Sequence, residues 1–421
     1  MTSIPPLDAK KPLDGLTRRT LLRASCGVAA AGLLAGAARV TWDDVVHRAA
    51  SDPLAAGSAV LVLVTMYGGN DGLNTLIPYA DPAYHDARPE LAYGAGEVIR
   101  LDDTLGLNPG LTGLGQLWQD QQLAVVRGVG YPRPDHSHFR SMDIWQTASP
   151  DAPVTTGWVG RWLDTAGDDP LLALNIGDVL PPLAVGTSAT AAALSVERAP
   201  AGAGRDAVLR HFAVSDPKDS VAARQVVQSY AAVQKVSTTF APVLGGASAE
   251  AAGAGAGSEA RGADALAQQL DLVARCIRMG APTRVYTVSL GGFDTHADEK
   301  GTQTAQLTLV DKALASFRTA LGDHPRAKDV VTMAYSEFGR RVKANASQGT
   351  DHGTAGPVLV MGPGVSGGFY GDQPSLTDLD DGDLKVTTDF RSVYADVLRS
   401  VLGADPARVL GKDRPPLGLF T

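Results

Sequence analysis

The sequence predicts an α/β protein whose central sheet is mostly parallel and is covered by helices on both faces. Three observations support this prediction: apolar runs of strand length, helical patterns between them, and polar clusters directly behind the runs. The first run, "AVLVLVTM" from Ala59, ends at Gly68-Gly69. A continuous apolar run of this length is typical of a parallel strand that is buried on both faces.

Four later runs have the same character, namely "LAVVRGV" from Leu123, "TRVYTVSL" from Thr283, "DVVTMAYS" from Asp329 and "PVLVMGPG" from Pro357. Helical patterns lie between or after them. "LTLVDKALASFRTAL" from Leu307 places its apolar side chains on one stripe, and so does "FRSVYADVLRSVLG" from Phe390, where Gly403 suits a C-cap. Strands that alternate with helices favour a sheet covered on both faces.

The N-terminus predicts an export signal over residues 1–37, followed by a single domain over residues 38–421. Arg18 and Arg19 precede an apolar stretch that is too short to span a bilayer, and small residues follow it. The arginine pair resembles a twin-arginine signal, and an uncleaved anchor or a Sec signal is the alternative. We therefore expect a periplasmic, cell-surface or extracellular protein without a membrane span in its mature part.

Composition excludes several function classes. The chain of 421 residues has a net charge of −8, and residues 1–37 contribute +3, so the mature part carries −11. Without a basic block, nucleic acid is not an expected partner. Only Cys276 lies outside the signal, which excludes an internal disulfide and a cysteine-based zinc site. The Ala/Gly/Ser-rich segment near residues 245–263 predicts a flexible surface loop between two helices.

Polar clusters follow the predicted strands, and this edge is where open α/β sheets bind ligands. The clusters contain Asn70 and Asp71, Asp294 and His296, Ser336 and Glu337, and Asp351 and His352. In an extended segment Asp294 and His296 point to the same side, so both can reach one metal ion or one proton. The alternative is that these are turn residues and that Asp294 caps a following helix.

A fifth cluster, "RPDHSHFRSMDIWQTAS" from Arg133, places Ser137 and His138 directly before a helical pattern. Ser137 is either an ordinary N-cap or a hydroxyl that faces an anion at the positive end of the helix dipole. A nearby metal would make that hydroxyl a nucleophile. The sequence has no Gly-x-Ser-x-Gly elbow, which disfavours a hydrolase of the common Ser-His-Asp type.

Five segments together carry a resemblance to a known family: "GGNDGLNTLIPY", "DHSHFRSMDIWQT", "GGFDTHADEKG", "SEFGRR" and "DHGTAGPVLVMG". They resemble the exported bacterial family catalogued as domain of unknown function fifteen hundred and one. That family is similar to the alkaline phosphatase and sulfatase superfamily. The resemblance implies a three-layer α/β/α sandwich, alkaline-phosphatase-like, with a divalent metal ion bound at its active site.

Residue by residue, the resemblance implies metal ligands at Asp71, Asp294, His296, Glu337 and His352, and a nucleophile at Ser137. His138 is a candidate replacement for a missing ligand, because Glu337 and Phe338 stand where the superfamily has an Asp-His pair. Only Thr295 separates Asp294 from His296, where the superfamily has three residues. Arg140 or Arg340 is the candidate for steadying an anionic group. Zinc, manganese and calcium all remain open as the metal.

Two functions follow from this interpretation. The first is an exported metal-dependent hydrolase or transferase that acts on phosphate or sulfate esters, with Ser137, His138 and Arg140 as catalytic residues. The second is a secreted binding or assembly protein with the same fold, whose incomplete site holds a structural metal. The replacement of a histidine by Phe338 favours the second function. Fold analogy does not decide between them, because function depends on the site.

Overall fold

The computed structural model describes residues 39–177, 180–196 and 264–420. The predicted export signal and the predicted loop near residues 245–263 lie outside this part of the chain. Of the helices expected on either side of that loop, only α6 at Ala265–Met279 is described.

The described residues form fifteen short or long strands, which we number in chain order: β1 Arg39–Val40, β2 Val60–Met66, β3 Leu76–Ile77, β4 Ile99–Arg100, β5 Gly106–Leu107, β6 Leu123–Gly130, β7 Ala173–Ile176, β8 Ala192–Leu194, β9 Val285–Leu290, β10 Val330–Tyr335, β11 Gly356–Met361, β12 Gly368–Tyr370, β13 Leu379–Asp380, β14 Asp383–Leu384 and β15 Thr388–Asp389. Their helices are α1 Trp42–Ser51, α2 Pro82–Ala87, α3 Thr112–Gln119, α4 His138–Thr147, α5 Trp158–Ala166, α6 Ala265–Met279, α7 Glu299–Leu321, α8 Phe390–Ser400 and α9 Pro406–Leu410. All five apolar runs that the sequence singled out are strands of the main sheet.

Ten strands form the main sheet, in the order β1-β8-β7-β9-β2-β10-β11-β6-β12, with β15 also pairing with β6. Every pair from β1 to β10 in this order is parallel. Strand β11 runs antiparallel to both of its neighbours, β10 and β6. The prediction of a mostly parallel central sheet is confirmed.

Helices cover both faces of this sheet and make two separate cores. Along β2, Val60, Val62, Val64 and Met66 pack with apolar side chains of α1, α3, α6 and α7. Leu61 and Leu63 point the other way and pack with α4, α5, α8 and α9. Alternate side chains of a strand face opposite sides of the sheet, so a strand between two helical layers must be apolar throughout. The three-layer α/β/α sandwich is thereby confirmed.

The topology brings several loops to one edge of the sheet. Parallel strands β7, β9, β2 and β10 all end there, and β6, which is antiparallel to β11, ends there too. Because β11 runs the opposite way, the residues that precede it also lie at this edge. In the described part of the chain, no helix combines the length and the apolar character needed to cross a membrane.

Candidate metal centre

Four imidazole and carboxylate side chains meet at this edge, around the Oδ1 atom of Asp294. The Nε2 atom of His296 lies 3.0 Å from Asp294 Oδ1, that of His352 lies 3.3 Å from it, and that of His138 lies 3.5 Å from it. The two Nε2 atoms of His296 and His352 are themselves 3.0 Å apart. Each residue comes from a different connection, except Asp294 and His296, which share the loop after β9.

The other ring nitrogen of each histidine faces an oxygen atom. His352 Nδ1 lies 2.7 Å from the carbonyl oxygen of His136, and His138 Nδ1 lies 2.9 Å from Glu337 Oε1. A carbonyl or a carboxylate only accepts hydrogen bonds, so both Nδ1 atoms carry the proton and donate. In the neutral rings, the Nε2 lone pairs therefore point into the cluster. Metal-binding histidines have this arrangement, with the second nitrogen fixed by a carboxylate or a carbonyl.

The cluster has the donor chemistry of a metal site. The Nε2 atom of His138 is buried and has no hydrogen-bond partner among the described residues. One ligand atom from each of His138, Asp294 and His352 lies within 4.8 Å of the others, so these three residues can hold a metal ion. Lone pairs that converge on a carboxylate repel one another unless a cation or a proton lies between them. The residues present therefore fit a divalent metal ion.

The protonation states of Asp294 and His352 suit metal binding. Burial alone would raise the pKa of the Asp294 carboxyl, but the hydrogen bond and charge of Arg340, together with His352 and His138, lower that pKa to about 2. Burial lowers the pKa of His352, and the nearby charge of Arg340 acts in the same direction, although the hydrogen bond with His136 opposes it. The carboxylate is thus charged and the imidazole neutral near pH 7, and these are the forms that bind metals.

Glu337 was predicted as a ligand, but it contacts the cluster only at the outer ring nitrogen of His138 among the described residues. Its Oε1 accepts hydrogen bonds from His138 Nδ1 and from the backbone N–H of Gly68, each at 2.9 Å. Its Oε2 accepts from Ser336 Oγ, also at 2.9 Å. With both oxygens engaged and the side chain 2% exposed, Glu337 orients His138 instead of facing the Asp294 oxygen.

Asp71 was also predicted as a ligand, and the structure does not bring it to the cluster. Its side chain is fully buried and forms an ion pair with Arg88 at 2.5 Å. Its Oδ1 accepts from the backbone N–H of Leu73 and begins a short 3-10 helix. Arg88 also donates to the carbonyl oxygens of Arg341 and Val342. Asp71 therefore neutralises a buried guanidinium that ties two loops together, because an unpaired charge there would be costly.

A second buried carboxyl adjoins Asp71 and gives a prediction on pH dependence. Glu299 Oε2 accepts from Thr350 Oγ1 at 2.6 Å. Burial first, and then the negative charge of Asp71, raise the pKa of Glu299 from 4.5 to about 9. A raised pKa gives stability that is complete below the unfolded-state value and is lost as the pH rises towards the folded-state value. Glu299 thus lowers the free energy of unfolding progressively between pH 4.5 and about 9.

We expect Glu299→Gln to remove this dependence, because the amide resembles the neutral acid at every pH. Denaturant midpoints of the wild type should fall across this pH window more steeply than those of Glu299→Gln. Glu90→Gln, at an exposed position, is the control and should follow the wild type. Parallel curves for Glu299→Gln and the wild type would contradict the neutral state of Glu299.

The two arginines proposed for anion binding are both engaged by the protein itself. Arg140 forms an ion pair with Asp143 at 2.5 Å. Arg340 is fully buried, and its donors reach the carbonyl oxygens of Gly68, Gly69, Phe293 and Thr350 as well as Asp294 Oδ1 at 2.7 Å. Arg340 therefore holds the loops of the site, a role that no pattern in the sequence indicates.

Ser137 stands at the N-cap of α4, directly before His138. Its side chain is exposed and makes no capping hydrogen bond. Its backbone N–H donates to Asp135 Oδ1 at 2.8 Å, so a carboxylate already occupies one donor at this helix start. The hydroxyl is thus available to a ligand, while the role of nucleophile stays a prediction.

Two glycines after β2 allow close packing around the site. Gly68 and Gly69 follow β2 with φ of +119° and +66°. A Cβ on Gly68 would come within 2.5 Å of the backbone nitrogen of Asp294, and one on Gly69 within 2.1 Å of the Phe338 ring. That ring lies 4.9 Å from the ring of His138 and 5.0 Å from that of His352. The Phe338 ring therefore packs against both imidazole rings.

The fold and the site define an α/β/α sandwich with a cluster of histidines and one aspartate at the carboxyl edge of its sheet. Residues 184–412 match the family described as "Protein of unknown function (DUF1501)", and the chain belongs to this family, as its motifs predicted. The matched segment contains Asp294, His296 and His352, whereas His138 precedes it. Among curated proteins, none is significantly similar to this sequence.

Several solved structures are similar to this chain at low identity. One is a protein in the alkaline phosphatase superfamily from Vibrio parahaemolyticus, with 11% identity, a TM-score of 0.41, and coverage of 91% of this chain and 81% of that chain. Another is the lipoteichoic acid synthase LtaP from Listeria monocytogenes, with 9% identity, a TM-score of 0.35, and coverage of 87% and 79%. A putative sulfatase from Bacteroides thetaiotaomicron has 8% identity, a TM-score of 0.30, and coverage of 85% and 72%.

Proposed function

We propose that the mature chain is an exported metal-dependent hydrolase or transferase of phosphate or sulfate esters. The observation that supports it most directly is the convergence of three imidazole Nε2 atoms on Asp294 Oδ1, at 3.0 to 3.5 Å. The centre is also reachable from solvent, since the side chains of Asp294 and His296 are 49% and 45% exposed. Such access matters because a catalytic metal site keeps one coordination position for water or substrate, whereas a structural site fills all positions with protein ligands.

His138, Asp294 and His352 would hold the metal, with His296 as a fourth ligand or as a proton-transfer group beside it. Three nitrogen donors and one carboxylate suit zinc, and manganese less well, whereas calcium prefers oxygen ligands alone. When bound, the metal supplies positive charge that polarises the ester and lowers the pKa of a coordinated hydroxyl or water. Glu337 and the carbonyl of His136 keep two of the imidazoles in the binding tautomer.

Ser137 is the candidate nucleophile, because its free hydroxyl is one residue from His138. In the proposed step, Ser137 Oγ forms a bond to phosphorus or sulfur while the bond to the ester oxygen breaks. The hydroxyl proton passes to solvent or to the exposed His296, and the leaving oxygen takes up a proton to give an alcohol. Attack by water on the seryl ester completes hydrolysis, and attack by a second alcohol gives transfer.

The test measures metal content and ester cleavage on the same preparation. The exported chain is assayed with phosphate and sulfate esters, then after chelation, and then after zinc, manganese or calcium is returned. We expect one metal to restore cleavage, and Ser137→Ala to lower kcat/KM by at least about 100-fold while metal binding is retained. Ser51→Ala, at an exposed position remote from the site, is the control. Full activity in chelator would overturn the proposal.

A second function is favoured by one group of observations. Arg140 and Arg340 are both engaged within the protein, and Asp135 places a carboxylate at the start of α4. These features leave the site poor in groups for an anionic substrate and favour a secreted binding protein with a structural metal. In that case the metal binds, His352→Ala loses it, and none of the esters is cleaved.

A further inference from the structure

A cavity of about 580 Å³ opens at the same edge of the sheet as the metal centre. Its floor is formed by the carboxyl ends of three neighbouring strands, β7, β9 and β2, and its opposite wall by the segment from Leu180 to Leu183. The volume lies in the range of pockets that bind compact organic molecules. Neither function considered above explains this cavity.

Side-chain alternation shows that the floor is built differently from the rest of the sheet. Along β9, Tyr286, Val288 and Leu290 belong to one apolar core. Thr287 and Ser289 alternate with them, so their side chains face the opposite layer, where the cavity lies. Thr65 of β2 and Asn175 of β7 have the same orientation, since Leu63 and Ala173 two residues earlier belong to the second core. All three strands thus replace core residues with uncharged polar ones at the cavity.

The chemistry of the lining selects an uncharged group. The described residues that line the cavity carry no charged side chain. The polar floor is partly self-satisfied, because Thr287 Oγ1 donates to Asn175 Oδ1 at 2.6 Å. The wall is apolar, because it consists of Leu180, Pro181, Pro182 and Leu183, of which the two prolines are accessible. Desolvating a charge here would be unfavourable, whereas an apolar ring or chain would release water from apolar surface.

The cavity adjoins the metal centre through Tyr67, which lines it. The carbonyl oxygen of Tyr67 accepts from the backbone N–H of Phe293, the residue before Asp294. Its hydroxyl accepts from Gln146 Nε2 at 3.2 Å, and Gln146 lies on α4, the helix that begins at His138. Burial first, and then the charge of Glu337, raise the pKa of Tyr67. Tyr67 therefore borders the cavity and bonds both to the loop that carries Asp294 and to the helix that begins at His138.

We propose that this cavity binds the uncharged, largely apolar alcohol portion of the ester whose anionic group binds at the metal. The inference rests on the proposed function and narrows its substrate class. Esters of aryl or alkyl alcohols fit this lining, because their alcohol portions carry no charge and few hydroxyl groups. The sugar of a sugar phosphate and the nucleoside of a nucleotide carry more polar groups than the cavity can pair, so they fit less well. The anionic end is held by the metal, and the apolar end fixes the orientation of the scissile bond.

The test uses a free alcohol and a pair of esters. Binding of 2-naphthol to the full metal-loaded chain is measured by calorimetry, and kcat/KM is measured for naphthyl phosphate and for glucose phosphate. Ser289→Trp should fill the cavity from its floor and weaken 2-naphthol binding by at least about 10-fold, and Ser289→Leu should weaken it less. Metal affinity should not change in either variant.

The matched control is Thr319→Trp, an exposed position at another cavity of about 470 Å³ that lies against the start of β10, at the far end of that strand. It should leave 2-naphthol binding unchanged. If 2-naphthol binds and neither ester is cleaved, the cavity assignment stands and the proposed function fails. If naphthyl phosphate is cleaved with no preference over glucose phosphate and Ser289→Trp and Ser289→Leu change nothing, the cavity assignment fails and the proposed function stands. Absence of 2-naphthol binding also overturns the assignment.

Discussion

Replacing Asp294 with Asn is expected to lower metal affinity by at least about 100-fold, more than the loss of an outer-shell partner usually costs. The Oδ1 atom of Asp294 is the point that the Nε2 atoms of His138, His296 and His352 surround. With its pKa lowered to about 2, the carboxylate is the permanent negative charge of the cluster. The amide of Asn keeps an acceptor for Arg340 but removes that charge, so the variant tests metal binding with little disturbance of the fold.

The measurement is a metal titration of the chelator-treated chain, with denaturant unfolding of the same samples. Because Asp294 is 49% exposed and the amide keeps an acceptor for the buried Arg340, we expect its change to Asn to lower the free energy of unfolding without metal by about 1–2 kcal/mol, the loss of the charged part of one hydrogen bond. Asp323→Asn, an exposed aspartate, serves as the control. His296→Ala should lower the affinity less than Asp294→Asn if His296 acts as a proton-transfer group. Wild-type affinity in Asp294→Asn would rule out a metal at this point.

The strands could be predicted because burial on two faces leaves a direct trace in the sequence. A strand such as β2 must be apolar at successive positions when helices cover both sides. The direction of β11 could not be predicted in this way. An apolar run carries no information about the direction of its strand. The residues from Pro357 to Met361 would look the same in a parallel strand as in the antiparallel strand that the structure contains.

The site could be predicted in outline because strand ends of a parallel sheet share an edge. Asp294, His296 and His352 do lie together, and their role as metal ligands stays a prediction. The sequence could not separate a carboxylate that faces the centre from one that faces elsewhere. Asp71 follows β2 as Asp294 follows β9, yet Arg88, 17 residues further on, pairs with it in the interior. Glu337 differs again, because its carboxylate accepts a hydrogen bond from His138 on α4.

The spacing of residues in the sequence did not decide the role of His138. The sequence offered it as a catalytic neighbour of Ser137 and as a replacement for a missing ligand. In the structure its Nε2 points to Asp294 and its Nδ1 to Glu337, which are the two contacts of an oriented ligand. The relevant signal is the pairing of His138 with Glu337, a carboxylate 199 residues away, and a single sequence does not reveal such a pairing. Aromatic contact with Phe338 then fixes the plane of the ring.

Arg340→Met is expected to lower the free energy of unfolding by about 3–5 kcal/mol, because each buried acceptor that loses its donor costs about 1–3 kcal/mol. The guanidinium is fully buried at the crossing of three connections. It binds the carbonyl oxygens of Gly68 and Gly69 after β2, that of Phe293 after β9, and that of Thr350 before β11. Methionine has a similar length but no donor, so these buried acceptors and Asp294 would lose their partner together.

Metal affinity should fall in the same variant, because the loops that carry Asp294 and His352 are both anchored on this side chain. Arg340→Lys should lie between Met and the wild type, since an ammonium keeps the charge but has three donors where the guanidinium has five. Arg140→Met removes a partly exposed guanidinium that pairs with Asp143, and should cost less than about 1 kcal/mol. Denaturant unfolding and metal titration of the three variants decide the matter. Equal unfolding free energies for Arg340→Met and Arg140→Met would show that the loops hold their positions without Arg340, and the geometry of the centre would then need another cause.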